Sequence, residues 1–252
     1  MIEVVQIPVL NDNYLFLLHC GDETAVVDPA VDDVVLDAIK ARGWTLTHIL
    51  NTHHHWDHTG ANLSLKEKTG CTIIGPKAEQ DKIPGIDKAV GFGDVITIGG
   101  STAAVLDVPG HTKGHIAYHF ASDKALFCGD VLFAMGCGRL FEGTALEMYT
   151  SLQKLAALPD DTQVYCAHEY TLSNGAFALA MEPDNIALQK RMDNVHSLRD
   201  RGEPTIPTTI GIEKSTNPFL RTDNYDIRAR ISMPIADGAS VFADIRKRKD
   251  TF

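Results

Sequence analysis

The stretch Thr52-His53-His54-His55-Trp56-Asp57-His58-Thr59-Gly60 constrains this chain more than any other. Four histidines and one aspartate fall within the six positions from His53 to His58, a density that no packed core requires. Imidazole and carboxylate are the usual ligands of Zn²⁺ and similar divalent ions. His53 and His55 are two residues apart, so on an extended segment their side chains project to the same side. Asp57 and His58 are adjacent, and a turn into a helix there aims both at a second point nearby. One segment can therefore serve two metals. The competing reading is a polar loop or a polyhistidine tract, but a tag is uniform and terminal, whereas this run is internal and mixed.

Three further donors stand at the ends of apolar strands. His111 lies just beyond one, in Asp107-Val108-Pro109-Gly110-His111-Thr112. Leu126-Phe127-Cys128-Gly129-Asp130 ends on an aspartate, and Val164-Tyr165-Cys166-Ala167-His168-Glu169 on a histidine. Loops at strand ends are where rigid scaffolds hold functional groups. A single strand-end His or Asp is more often a turn or capping residue; three of them following one dense ligand run point to a shared site.

Composition narrows the class. The chain has 252 residues and is 44% hydrophobic, with a mean hydropathy near zero, which describes a globular protein of one or two domains. No window approaches the ~20 apolar residues that a membrane span needs. The segment Met1 to Leu18 carries Glu3 and the break Asn11-Asp12-Asn13 and has no basic leader, so a signal peptide is not expected and a cytoplasmic location is. The five cysteines, Cys20, Cys71, Cys128, Cys137 and Cys166, are odd in number and form no CxxC pair, as suits a reducing compartment without zinc–thiolate sites. The net charge of −10 argues against nucleic acid as a partner. Residues 1–170 hold 11 Lys and Arg against 22 Asp and Glu; residues 171–252 hold 12 against 11 and end in the basic run Arg246-Lys247-Arg248-Lys249.

The texture follows the charge. Up to about residue 170 the chain reads as short strands (Ile2–Ile7, Tyr14–Cys20, Thr24–Asp28, His48–Asn51, Thr72–Gly75, Val95–Ile98, Ala103–Val108, Ile116–Phe120, Ala125–Cys128, Gln163–Cys166), with helices over Asp32–Arg42, His58–Lys68 and Ala145–Leu158. Beyond Tyr170, helices are expected over Ser173–Met181, Asn185–Arg201 and Ala239–Lys249, with Gly202–Phe219, rich in Pro, Thr and Gly, as an irregular crossing segment. No internal repeat is present.

The motif Thr-His-x-His-x-Asp-His, followed by Gly-His-Thr, a strand-end Gly-Asp and a later Ala-His, resembles the signature of the metallo-β-lactamase superfamily. Within it the chain is similar to the hydroxyacylglutathione hydrolase (glyoxalase II) family over essentially its whole length. The segments Arg139-Leu140-Phe141-Glu142-Gly143-Thr144, His168-Glu169-Tyr170 and Asn217-Pro218-Phe219, and the terminal Arg246 to Phe252, carry that closer resemblance. It implies an α/β fold, a four-layer αβ/βα sandwich over residues 1–170, followed by an all-α glutathione-binding domain over 171–252. It implies that His53, His55 and His111 hold one metal, that Asp57, His58 and His168 hold a second, and that Asp130 bridges them. Zinc is the default ion for such donors, with iron or manganese as alternatives.

The implied reaction is hydrolysis of S-2-hydroxyacylglutathione thioesters, S-D-lactoylglutathione to D-lactate and glutathione, the second step of methylglyoxal detoxification. Two ions ~3.5–4 Å apart acidify a shared water, and the resulting hydroxide attacks the thioester carbonyl while positive charge stabilises the oxyanion. Asp57 and Asp130 carry the catalytic role with that hydroxide; Asp57 is a secondary candidate for proton shuttle. A thiol of pKa ~8.5 leaves without a strong general acid.

Substrate binding is implied for Arg139, Phe141, Tyr170, Arg246 and Lys249. Glutathione carries two carboxylates, which Arg and Lys can pair, and Arg246 and Lys249 share a helix face. Phe141 stands where the family often has tyrosine, so the hydroxyl that would hydrogen-bond the peptide is missing. His54 and Trp56 occupy variable positions and are not taken as ligands. His115 is read as supporting a ligand, Asp28-Pro29 as a strand-end turn or a partner to a ligand histidine with a slight preference for the turn, and Cys128 and Cys166 as buried. Gly110, Gly129 and Gly136 are read as relieving backbone strain near the metals. The rival functions are a mononuclear-iron glutathione persulfide dioxygenase, another hydrolase of the superfamily, and a purely structural metal site, which would be closed and cysteine-rich. The partner is a small thioester, with neither nucleic acid nor membrane, and a monomer is the default state.

Overall fold

Apolar runs, β-branched in the Glu3–Val9, Glu23–Val27 and Thr72–Pro76 segments and Leu- and aromatic-rich in Asn13–Cys20, build the first sheet. The computed structural model describes residues 1–252, which divide into two compact units: residues 1–107 with 113–129, and residues 108–112 with 130–252.

In the first unit β1 (Glu3–Val9), β2 (Asn13–Cys20) and β3 (Glu23–Val27) are antiparallel, and β4 (Leu46–Leu50), β5 (Thr72–Pro76) and β6 (Lys88–Val90) continue the sheet in parallel, in the order β1-β2-β3-β4-β5-β6. Parallel neighbours need crossovers. Helix α1 (Asp33–Arg42) links β3 to β4; α2 (Trp56–Thr59) and α3 (Asn62–Thr69) link β4 to β5. Gly43, at φ 67°, ends α1 in the left-handed turn that glycine takes at least cost. Val35 and Ile39 of α1 pack with Leu15, Leu17, Val26, Leu46, Ile49 and Ile73 of the sheet. The six residues Asn13–Leu18 are all buried, as in a central strand covered on both faces. Strands β7 (Val95–Ile98), β8 (Ser101–Asp107), β9 (Ile116–Phe120) and β10 (Ala125–Gly129) form an antiparallel meander. The alternation of β8, with Ser101, Ala103 and Val105 buried, is that of a strand with one face inward.

In the second unit, β11 (Leu132–Phe133) and β12 (Gly136–Cys137) form a hairpin, and α4 (Ala145–Ala156) begins at a capping box in which Thr144 and Glu147 bond reciprocally. β13 (Gln163–Cys166) pairs with β14 (Thr208–Thr209). Helices α5 (Thr171–Met181), α6 (Ile186–Asp200), α7 (Ile210–Thr216), α8 (Tyr225–Arg230) and α9 (Gly238–Asp250) make up the rest. Asn185, Thr209, Asn224 and Asp237 cap α6 to α9 with side-chain oxygens. Leu188, Met192 and Val195, spaced at four and three residues on α6, pack with Met135 and Ala178. Phe219 lies against Phe177 and Phe242, with ring centroids 6.1 and 5.7 Å apart.

Two sequence expectations fail. The single helix expected over His58–Lys68 is broken between Thr59 and Asn62. Ala61 N donates to Pro29 O at 3.0 Å instead of to its own helix, and a Cβ on Gly60 would stand 2.7 Å from Ala30 O. The segment Gly202–Phe219 is not wholly irregular, because it contains β14 and α7. The buried face of α7 is Ile210, Glu213 and Thr216, so two of its three inward residues are polar and the apolar period is hidden.

Candidate functional site

In the first unit, parallel strands β3 and β4 end side by side, Val27 opposite Leu50, and the chain leaves them as Asp28 and Asn51-Thr52-His53. Asp28, at φ 50° and 4% exposed, accepts from Thr52 N at 2.8 Å, Thr52 Oγ1 at 2.7 Å and His58 Nδ1 at 3.1 Å. Asp28 therefore does more than turn the chain. It orients His58, leaving Nε2 turned toward Asp57, and its own oxygens are already engaged. His53 Nε2 and His55 Nδ1 lie 3.1 Å apart. Two nitrogens on one tetrahedral zinc, each at ~2.0–2.1 Å, are separated by about 3.3 Å, so this pair fits a single ion. Asp57 Oδ2 stands 3.4 Å from His58 Nε2 and accepts from Asn13 Nδ2 at 3.0 Å. The His115 ring stacks on His53 with centroids 4.6 Å apart. His54 turns away to Glu79 Oε2, 2.8 Å from its Nδ1. Gly129 ends β10 at φ 49°, where a Cβ would lie 2.3 Å from Thr52 Oγ1; a side chain there would push into the run. Trp56 is 71% exposed.

In the second unit, Asp130 is buried between two histidines. Its Oδ2 is 3.3 Å from His111 Nε2 and its Oδ1 is 3.3 Å from His168 Nε2. His111 Nδ1 lies 2.9 Å from Arg139 O, a contact that fixes the ring and turns Nε2 to Asp130. His168 stacks on Tyr170 at 4.7 Å, and His111 meets Phe141 edge-on at 5.1 Å. Of the seven donors that sequence reading proposes, the structure places His53, His55, Asp57 and His58 in the first unit and His111, Asp130 and His168 in the second. An imidazole and carboxylate set with no thiolate suits divalent zinc, iron or manganese.

A cavity of about 330 Å³ in the second unit is lined by His111, Asp130, Arg139, Phe141, Arg246 and Lys249, with Phe133, Tyr170 and Asn174 beside them. Arg246 is 6% exposed and donates through Nη1 to Cys137 O at 2.9 Å and through Nη2 to Asp250 at 2.9 Å. Lys249 Nζ reaches Ser173 Oγ at 3.4 Å. Burial, then the charges of Arg246 and Arg139, lowers the Lys249 pKa. Burial pushes the Cys137 thiol up to about 11, against the opposing charge of Arg246. Phe141 is 62% exposed.

Sequence reading missed Asn13, Glu79, Cys137 and Asn174 as parts of these surroundings. The turn-rich Asn11-Asp12-Asn13 gave a weak signal for the first, and nothing marked the others.

Residues 9–168 match the metallo-β-lactamase superfamily and residues 169–252 match the hydroxyacylglutathione hydrolase C-terminus. The chain is 54% identical to the hydroxyacylglutathione hydrolase of Methylococcus capsulatus, covering 100% of this chain and 99% of that protein. It is 55% identical to that of Rhizobium meliloti, covering 96% and 95%. Among solved structures, the BLEG-1 B3 metallo-β-lactamase aligns at a TM-score of 0.68 and 24% identity over 86% of this chain and 99% of its own. ETHE1 from Myxococcus xanthus aligns at 0.68 and 25% identity over 99% of both. The α/β metallo-β-lactamase fold followed by a helical C-terminal region holds, as does the thioester-hydrolase reading, and a dioxygenase is not favoured. The chain belongs to the hydroxyacylglutathione hydrolase family of the metallo-β-lactamase superfamily.

Proposed function

We propose that this thioester hydrolase works with two divalent ions, zinc by preference. His53, His55 and His111 would hold one, Asp57, His58 and His168 would hold the other, and Asp130 would serve both. The observation that carries the reading is Asp130, whose two carboxylate oxygens each face a different histidine nitrogen at 3.3 Å. The ions would supply an acidified water and positive charge opposite the developing oxyanion. Asn13 orients Asp57, Asp28 orients His58, and the Arg139 carbonyl orients His111. Arg139, Arg246 and Lys249 provide the positive wall for the two carboxylates of glutathione, and Tyr170 and Phe141 flank the peptide. With phenylalanine at 141, that position offers an apolar edge and no hydroxyl.

In this reading residues 1–170 form the catalytic domain, and 171–252 supply Arg246 and Lys249 for glutathione. The preferred acyl group is D-lactoyl, placing the protein at the second step of methylglyoxal detoxification as a cytoplasmic monomer. The test is loss of the thioester of S-D-lactoylglutathione, with and without chelator. Fast, chelator-sensitive hydrolysis by protein holding two metals per chain supports it. Intact thioester in such a preparation sinks it.

A further inference from the structure

Glu79 is a carboxylate in an unusual place: 3% exposed, on the short 3-10 turn Lys77–Lys82. Burying a charge is costly unless donors surround it. Here the donors come from two distant segments. Oε2 accepts from His54 N at 3.0 Å and from His54 Nδ1 at 2.8 Å, and Oε1 accepts from Gly114 N at 2.8 Å. The approach at Gly114 is close; a Cβ there would stand 2.6 Å from Glu79 Cγ and 2.8 Å from Ala78 Cβ. His54 separates His53 from His55, and Gly114 precedes His115, whose ring stacks on His53.

We propose that Glu79 is a positioning residue for metal binding. It ties the main chain between His53 and His55 to the chain before His115, and so sets the direction of both ligands and of the ring packed on one of them. Its hydrogen bonds go to His54 and Gly114, beside the ligands and not to the ligands themselves. The inference rests on the ligand assignment above. The His54 imidazole supplies only one of the three donors, so its loss leaves the clamp standing.

Glu79→Gln keeps the shape but turns an amide N–H toward an N–H donor. His54→Ala keeps the backbone bond. Gly114→Ala pushes the carboxylate away and stands in if Glu79→Gln does not fold. The measurements are zinc content and affinity by chelator competition, the visible spectrum of the cobalt-substituted protein, and the unfolding midpoint of the metal-free protein. Glu79→Gln should weaken metal affinity by ~10–100-fold and shift the cobalt bands, the range typical of groups that orient ligands. His54→Ala should change affinity less than about threefold, as expected when one of several charge-assisted bonds goes. Wild-type affinity and bands in both Glu79→Gln and Gly114→Ala overturn the proposal. So does a fall in metal-free stability with the cobalt bands unmoved, which would leave Glu79 only structural. A wild-type protein that takes up a single metal would instead sink the dinuclear reading, and Glu79 would still be decided by the affinity for that metal.

Discussion

Removing the Glu213 carboxylate should destabilise the second unit more than any surface change. Glu213 is fully buried and accepts from Arg191 Nη2 at 2.5 Å, Thr208 Oγ1 at 2.7 Å, Met135 N at 2.8 Å and Asn217 Nδ2 at 2.9 Å. Asn217 Nδ2 also reaches Gly136 O at 2.9 Å, so this one side chain pins the β11–β12 hairpin, whose Phe133 and Cys137 line the cavity. Glu213→Ala strands the Arg191 guanidinium, at 11% side-chain exposure, and breaking one partner of a buried pair costs about 3–5 kcal/mol. The buried Met135 N–H loses its acceptor, a further ~1–3 kcal/mol that overlaps with the first figure. Taking about 4 kcal/mol, and ~2–4 °C per kcal/mol for a chain of this size, the midpoint should fall by about 8–16 °C. Replacing both partners, Glu213→Leu with Arg191→Met, removes the charge instead of stranding it, and should recover more than half of the loss. Thermal unfolding followed by circular dichroism at fixed metal concentration reads this directly. A single-variant loss under about 1 kcal/mol, or a double variant as damaged as the sum of its parts, would refute the reasoning.

Three further outcomes follow from named groups. Lys249→Met should raise KM for the glutathione thioester by ~10–100-fold with kcat nearly unchanged, since a charge-assisted bond made equally in ground and transition states is lost; a fall in kcat at constant KM would contradict its placement. Because burial holds the Cys137 thiol protonated, its pKa about 11, iodoacetamide should leave it unmodified at neutral pH, with the rate rising roughly tenfold per pH unit toward that value; peptide mass spectrometry would expose early alkylation. Hydrogen bonds from Lys68 and Ser64, then the Lys68 charge, hold Asp32 at about 2, below its usual 3.8. A depressed carboxylate stabilises the fold above its unfolded pKa and loses that contribution as pH falls through about 2, so Asp32→Asn should cost under ~1 kcal/mol at pH 7, given the exposed pair, and nothing at pH 1.5. Urea titrations at the two pH values compare them, and an equal cost at both would be inconsistent.

The strands that sequence made legible are those whose burial pattern repeats over several residues, such as β2 and β8. Those it did not reveal are short or exposed. β6 is Lys88-Ala89-Val90 with Lys88 on the surface, and β11, β12 and β14 have two residues each, too few for any period to show. Helix α8 is six residues with Ile227 as its only buried side chain, so it too carries no stripe. Loop-like composition over Gly202–Phe219 hid α7 for a different reason: beside Ile210 its inward face carries Glu213, which accepts hydrogen bonds from Arg191, Thr208, Met135 and Asn217, and Thr216.

The same distinction separates the legible part of the site from the rest. The proposed metal donors announce themselves, because His and Asp at two-residue and adjacent spacings have little packing use. The groups that aim those donors do not. Asn13 reaches Asp57 across 44 residues of sequence, and Glu79 reaches His54 across 25 and Gly114 across 35. Each is one polar residue in an ordinary local setting, and its role exists only after the sheet has brought distant segments together. Glu79 and Glu213 each sit in a short helical turn where a glutamate normally reads as solvated. What distinguishes them is burial without loss of donors. A carboxylate left with too few N–H partners would not stay buried against its desolvation cost, so full occupancy of these oxygens is the physical sign that the surrounding backbone was shaped around them.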